Sequence, residues 1–74
     1  MEQVVLNIIN SIREAKNESA VSMLKAEDKL REDLGLTSFD LAELTVRIED
    51  EYGIDIFETG LVNTVGEIYA KLQK

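Results

Sequence analysis

The stretch from Thr37 to Gly53 constrains this chain more than any other part of its 74 residues. Thr37 followed three positions later by Asp40 matches a capping box, in which two side chains tie down amides that a helix start would leave unpaired. The pattern therefore predicts a helix beginning at Thr37 or Ser38 and running to about Tyr52, with Gly53 as its C-terminal stop. At about 100° per residue, Leu41, Leu44, Thr45, Ile48 and Tyr52 share one arc wide enough to face a core. Phe39, Ala42 and Val46 fall on a second arc, roughly opposite, bordered by Glu43, Glu49 and Asp50. A helix buried on one side does not need a second apolar strip, and leaving Phe39 in water forgoes about 1.5–3 kcal/mol. Two readings fit: Phe39 folds back under a loop as core, or it centres an exposed docking strip with an acidic rim.

The rest of the chain is helical in pattern too. Val5, Ile8, Ile9 and Ile12 recur at helical spacing and place a first helix at roughly 3–16, with Asn17 as its stop. Thr64 and Glu67 form a second box before Val65, Ile68, Tyr69 and Leu72, which line one side of a last helix. Residues 20–26 have the weak pattern of a helical turn capped by Ser19, and residues 57–61 that of one more turn. Leu30, Leu34 and Leu36 are expected to plug the core from the long connection, and Gly35 to permit a turn. No segment alternates like a strand. The expected fold is all-α, a small four-helix bundle of three main helices plus one short helix, with residues 1–74 forming a single domain.

Composition narrows function by exclusion. Without cysteine or histidine, the chain lacks disulfides, thiolate metal sites and the usual neutral-pH base. No apolar run approaches the roughly 20 residues of a membrane span, and the opening Met-Glu-Gln-Val lacks signal-peptide features. A free-standing cytoplasmic protein, without membrane insertion, is the expectation. The net charge is −7, and residues 38–60 hold −6 of it. That field repels nucleic acid and attracts basic protein surfaces, though from charge alone a plain solvated face is the leading reading. Among the acids at 49–58, an EF-hand register starting at Asp50 puts Tyr52 at a ligand position and Asp55 at the turn glycine, so it fails. No nucleophile–base pair or glycine-rich phosphate loop can be assembled, so the chain reads as no enzyme and holds no metal site.

The run Asp33-Leu34-Gly35-Leu36-Thr37-Ser38-Phe39-Asp40-Leu41-Ala42-Glu43-Leu44 resembles the phosphopantetheine attachment motif of acyl carrier proteins, D-L-G-x-D-S-L-D-x-V-E-L. The resemblance continues through Ile48–Ile56, returns at Asn63–Glu67, and covers about two thirds of the chain. It implies a carrier active in pathways such as fatty acid or polyketide biosynthesis, phosphorylated in the sense that Ser38 bears 4′-phosphopantetheine taken from coenzyme A. The partners it implies are a phosphopantetheinyl transferase and acyl-loading and acyl-processing enzymes with basic docking surfaces, met by a monomeric carrier. By position, Asp40, Glu43, Glu49 and Asp50 match acidic recognition residues, and Phe39, Ala42 and Val46 match apolar docking positions.

The physics of Ser38 agrees with this. A serine at a helix start exposes its hydroxyl where the helix dipole favours an attached phosphodiester. With no histidine or cysteine in the chain, the base and Mg²⁺ for the transfer belong to the transferase, and the thiol chemistry to the cofactor. Thr45 and Ile48 on the inner arc, with Val62 and Ile68 across from it, are either plain core or a site that opens for a short acyl chain. Three departures from the motif point toward a specialised pathway: Thr37 replaces the usual Asp, the segment from Ile56 to Thr64 is short, and Arg47 interrupts the acidic face. The competing reading is an unmodified, carrier-like helical interaction domain acting only through its acidic face.

Overall fold

A computed structural model describes residues 2–58 and 60–73. Its three helices are α1 (Glu2–Ala15), α2 (Ser38–Tyr52) and α3 (Val65–Leu72). The described residues form no strand beyond an isolated bridge between Lys29 and Thr64. Each helix starts or stops where its local chemistry requires. After α1, Asn17 takes φ 63°, and the amides of Asn17 and Glu18 bond the carbonyls of Glu14 and Arg13. Those two bonds form a Schellman ending with asparagine as the left-handed residue. Thr37 caps α2, with Asp40 completing the box, and Gly53 closes it at φ 69°. Thr64 and Glu67 do the same for the start of α3. Glu67 accepts amide bonds from Asn63 and Thr64, which hold its carboxyl below the ordinary range.

The buried faces meet in one core. Val5, Ile9 and Ile12 of α1, Leu44 and Ile48 of α2, and Val65 and Ile68 of α3 are buried together. Leu30, Leu34 and Leu36 join them from the long connection, as expected, and Ile56 and Val62 from the short one.

Between α1 and α2 the chain forms no helix. Residues 20–26 run irregularly instead of making the expected turn. Tertiary bonding overrides the weak local pattern there: the Asn10 side chain donates to the Val21 carbonyl at 2.9 Å and accepts from the Val21 amide at 2.8 Å. That pairing occupies the backbone groups a helical turn would need. Residues 26–30 then cap α3 from outside. The amides of Val65 and Gly66 donate to the carbonyls of Asp28 and Ala26, and Leu30 donates to Asn63. Gly66 suits this close approach, because a Cβ there would lie 3.0 Å from the Ala26 carbonyl oxygen.

The expected fourth helix at 57–61 spans residue 59, which lies outside the described residues. The described part makes turns, with Glu58 donating to Asp55 and Gly60 to Phe57. Three helices are therefore what the described residues contain.

Candidate functional site

Ser38 is the first residue of α2 and its side chain is exposed. Its position is set from both sides. On the helix side, the Thr37 hydroxyl accepts from the Asp40 amide at 3.2 Å, and Asp40 accepts from the Thr37 amide at 3.0 Å. On the far side, the end of α1 clamps the lead-in loop. Lys16 donates to the Gly35 carbonyl and to the Asp40 carboxylate at 2.5 Å, while Arg13 donates to the carbonyls of Leu34 and Ser19 and pairs with Glu18. Ser38 is thereby held at the start of α2, where the helix dipole favours an attached anion.

Asp40 differs from the expectation for a recognition residue. It is 5% exposed and is the buried charged residue of the core region. Burial opposes its charge, but the bonds from Lys16 and then Thr37 outweigh this and hold its carboxyl below the ordinary value. A carboxylate already bound to an ammonium and an amide is not free for a partner's basic surface. The capping box turns it inward, so its place is structural.

The remaining recognition candidates lie where the helical wheel separates them. Phe39 is 79% exposed, so it does not fold under the loop, and Val46 and Ala42 are exposed along the same face. Glu49 and Asp50 flank that strip in solvent, and Glu43 is half-buried, with Arg47 at 3.6 Å one turn on. Arg47 thus neutralises part of the rim.

A groove of about 290 Å³ opens directly beside Ser38. It is lined by Ser38, Leu41, Ala42 and Thr45 of α2, by Arg31 of the preceding loop, and by Phe57 and Leu61 of the following segment. Of the four acyl-pocket candidates, only Thr45 lines it, with its hydroxyl satisfied by the Leu41 carbonyl at 2.8 Å. Ile48, Val62 and Ile68 are at most 3% exposed and belong to the packed core, because α1, α3 and the loop leucines close over the inner arc of α2. Arg31, Phe57 and Leu61 had no signal in the sequence as groove residues, since they come from two separate irregular segments. A second depression, of about 230 Å³, lies at the opposite end of α1 among Glu2, Leu6, Met23 and Tyr69, away from any candidate attachment residue.

Residues 3–72 match the family model described as "Phosphopantetheine attachment site". The chain is 36% identical over 55 residues to an acyl carrier protein of Thermotoga maritima, covering 72% of this chain and 68% of that protein. It is also 46% identical over 44 residues to an acyl carrier protein of Saccharopolyspora erythraea, covering 57% of this chain and just under half of that longer protein. No solved structure matches. The chain belongs to the acyl carrier protein family. Its prosthetic group is 4′-phosphopantetheine, and members of this family are carriers that work with a transferase and with biosynthetic enzymes.

The residues present fit that group. An exposed hydroxyl at a helix start stands at the rim of a groove whose floor is largely apolar and whose edge bears one guanidinium. Among the described residues no cluster of three or more potential metal ligands occurs, and no helix is long and apolar enough to cross a membrane.

Proposed function

We propose that Ser38 carries the phosphopantetheine arm and that the chain shuttles acyl or aminoacyl intermediates between enzymes of a specialised biosynthetic pathway in the cytoplasm, without catalysis of its own. One observation carries this reading. Ser38 is the exposed first residue of a doubly capped helix, and it opens onto a groove able to receive what is attached to it.

In the loading step, the Ser38 hydroxyl oxygen forms a bond to the phosphorus that bears the pantetheine of coenzyme A. The bond from that phosphorus to the adenosine-side diphosphate oxygen breaks, and adenosine 3′,5′-bisphosphate leaves. The hydroxyl proton passes to a base on the transferase, because this chain has no histidine or cysteine to receive it. Once attached, the arm supplies a terminal thiol for thioester chemistry. The chain's own residues hold Ser38 at a fixed point, through Thr37, Asp40 and Lys16, and present Phe39, Ala42 and Val46 with Glu43, Glu49 and Asp50 to basic partners. Thr37 brings a cap without a charge, and Arg47 lowers the rim's negative charge, which supports a partner set different from that of a more acidic carrier. The short segment between α2 and α3 is the one in which a fourth helical turn would complete the bundle.

Incubation with coenzyme A and a broad-specificity transferase, followed by intact mass, tests the assignment. The expected gain is one phosphopantetheinyl group, lost in Ser38→Ala. The absence of any gain with several transferases would replace the carrier by an unmodified interaction domain. Reversal of Glu43 or Asp50 to Lys is expected to slow loading by roughly tenfold without altering the melting temperature, because rim charge sets association rate more than fold stability.

A further inference from the structure

Arg31 is the cation that lines the groove beside Ser38. Arg13, Lys16 and Arg47 are each paired with a carboxylate. The Arg31 guanidinium has no hydrogen-bond or ion-pair partner among the described residues. Of the nearby acids, Asp28 accepts from the Lys25 amide and Asp33 from the Lys29 amide, while Glu27 and Glu32 form no ion pair with Arg31. Its position along the chain is nonetheless well held. The Arg31 carbonyl accepts from Gly35 at 3.1 Å, and Leu30 and Leu34, on the same turn, are buried in the core.

The groove that Arg31 shares with Ser38 contains no acid. Its other walls are Leu41, Ala42, Thr45, Phe57 and Leu61. A cation at the edge of such a groove, in a chain of net charge −7, has no anion of its own to neutralise there. Whatever enters the groove has an unmatched positive charge to meet. The planar guanidinium fork fits phosphate oxygens in a bidentate manner, and the start of α2 adds a field of the same sign. A group tethered to Ser38 places its phosphodiester next to its point of attachment and its thiol end a whole arm's length away. The phosphodiester is therefore the anion within reach.

We infer that Arg31 receives the phosphodiester at the base of the arm on Ser38 and so directs the arm into the groove along Leu41, Thr45, Phe57 and Leu61. The inference rests on the proposed attachment at Ser38. Arg31 is a positioning residue, acting on the attached arm rather than on the loading chemistry.

The test compares apo and loaded protein by NMR, with loading confirmed by intact mass. Attachment is expected to shift the Arg31 side-chain Nε–H resonance and the backbone amides of Thr45 and Leu61. In fully loaded Arg31→Gln, the Thr45 and Leu61 shifts are expected to fall by at least half, and Arg31→Lys to restore part of them. Both apo variants should melt with the parent, since the Arg31 side chain holds no partner in the fold. Unchanged Thr45 and Leu61 shifts in loaded Arg31→Gln would overturn the inference while leaving Ser38 as the attachment site. A protein that gains no mass would bring down the Ser38 assignment and this inference with it. Loading the arm with a dicarboxylic monothioester and with an uncharged acyl group of equal length separates the anion's source. An Arg31 response to both supports the phosphodiester. A response only to the free carboxylate assigns Arg31 to the cargo and overturns the proposal.

Discussion

Among the described residues, the two segments that flank α2 both lack helix, yet they are held very differently. The preceding connection, residues 26–36, buries Leu30, Leu34 and Leu36, bonds its backbone to the start of α3, and is clamped by Arg13 and Lys16 from α1. The following segment, residues 54–62, buries Ile56 and Val62 at its ends but leaves Leu61 84% exposed, with a few local turn bonds between. Irregular backbone is therefore no measure of looseness here; buried apolar anchors and long-range backbone bonds are. The groove beside Ser38 has one wall from each segment, one held by buried leucines and long-range backbone bonds, the other by the packing of Ile56, Phe57 and Val62 and by local turn bonds.

The largest break in that comparison should come from the fixed wall. Leu30→Ala is expected to cost about 2–5 kcal/mol, comparable with the roughly 3–5 kcal/mol a core of this size supplies. Circular dichroism should show the variant largely unfolded near room temperature. A loss under 1 kcal/mol would mean that the connection is not anchored as described.

Gly66→Ala attacks the same wall from α3, because its Cβ would lie 3.0 Å from the Ala26 carbonyl oxygen and 3.2 Å from the Ala26 Cβ. A destabilisation of about 1–3 kcal/mol is expected, although alanine is the better helix former. Urea denaturation measures it, and a stabilised variant would show that residues 26–28 move aside freely.

Asp40→Asn loosens the clamp between α1 and the start of α2. At neutral pH the expected cost is about 1.5–3 kcal/mol, the range for hydrogen bonds to a charged group. The sign with pH follows from the lowered carboxyl. Asp40 titrates near 3.8 when unfolded and below that when folded, so its contribution is complete above pH 4–5. It is lost as pH falls through the folded value, and parent and variant should converge in acid. A constant gap between them across denaturation curves at pH 7 and pH 3 would show that the ion pair with Lys16 is not its source.

The smallest effect belongs to the other wall. Leu61→Ala should change stability by no more than about 0.5 kcal/mol, because Leu61 is already 84% exposed. A larger loss in thermal melts would mean that this segment is packed as firmly as its counterpart.

Much of the fold was legible because its signals are local. The boxes at Thr37 and Thr64, the stops at Asn17 and Gly53, and the isoleucine spacing of α1 each involve residues no more than seven positions apart. The α1 boundary expected at 3–16 lies one residue from the observed helix at each end. The turn expected at 20–26 failed because Asn10, eleven residues away, satisfies the Val21 backbone in a non-helical form. The candidate site divided in the same way. The second apolar arc of Phe39, Ala42 and Val46 follows from helical period, but its exposure was shown only by the fold. The ion pair that holds Asp40 comes from Lys16, 24 residues earlier.

By itself, then, the sequence determined where α1, α2 and α3 lie, that α2 carries two apolar arcs, and that Ser38 stands at a helix start. Only the tertiary structure decided which residues share its groove. Arg31, Phe57 and Leu61 meet Thr45 there because the core folds two irregular segments back on α2, while Ile48, Val62 and Ile68 are sealed beneath. Helix period and capping act over one turn and can be read along the chain. A groove is defined by the packing of distant segments, and no local pattern encodes that.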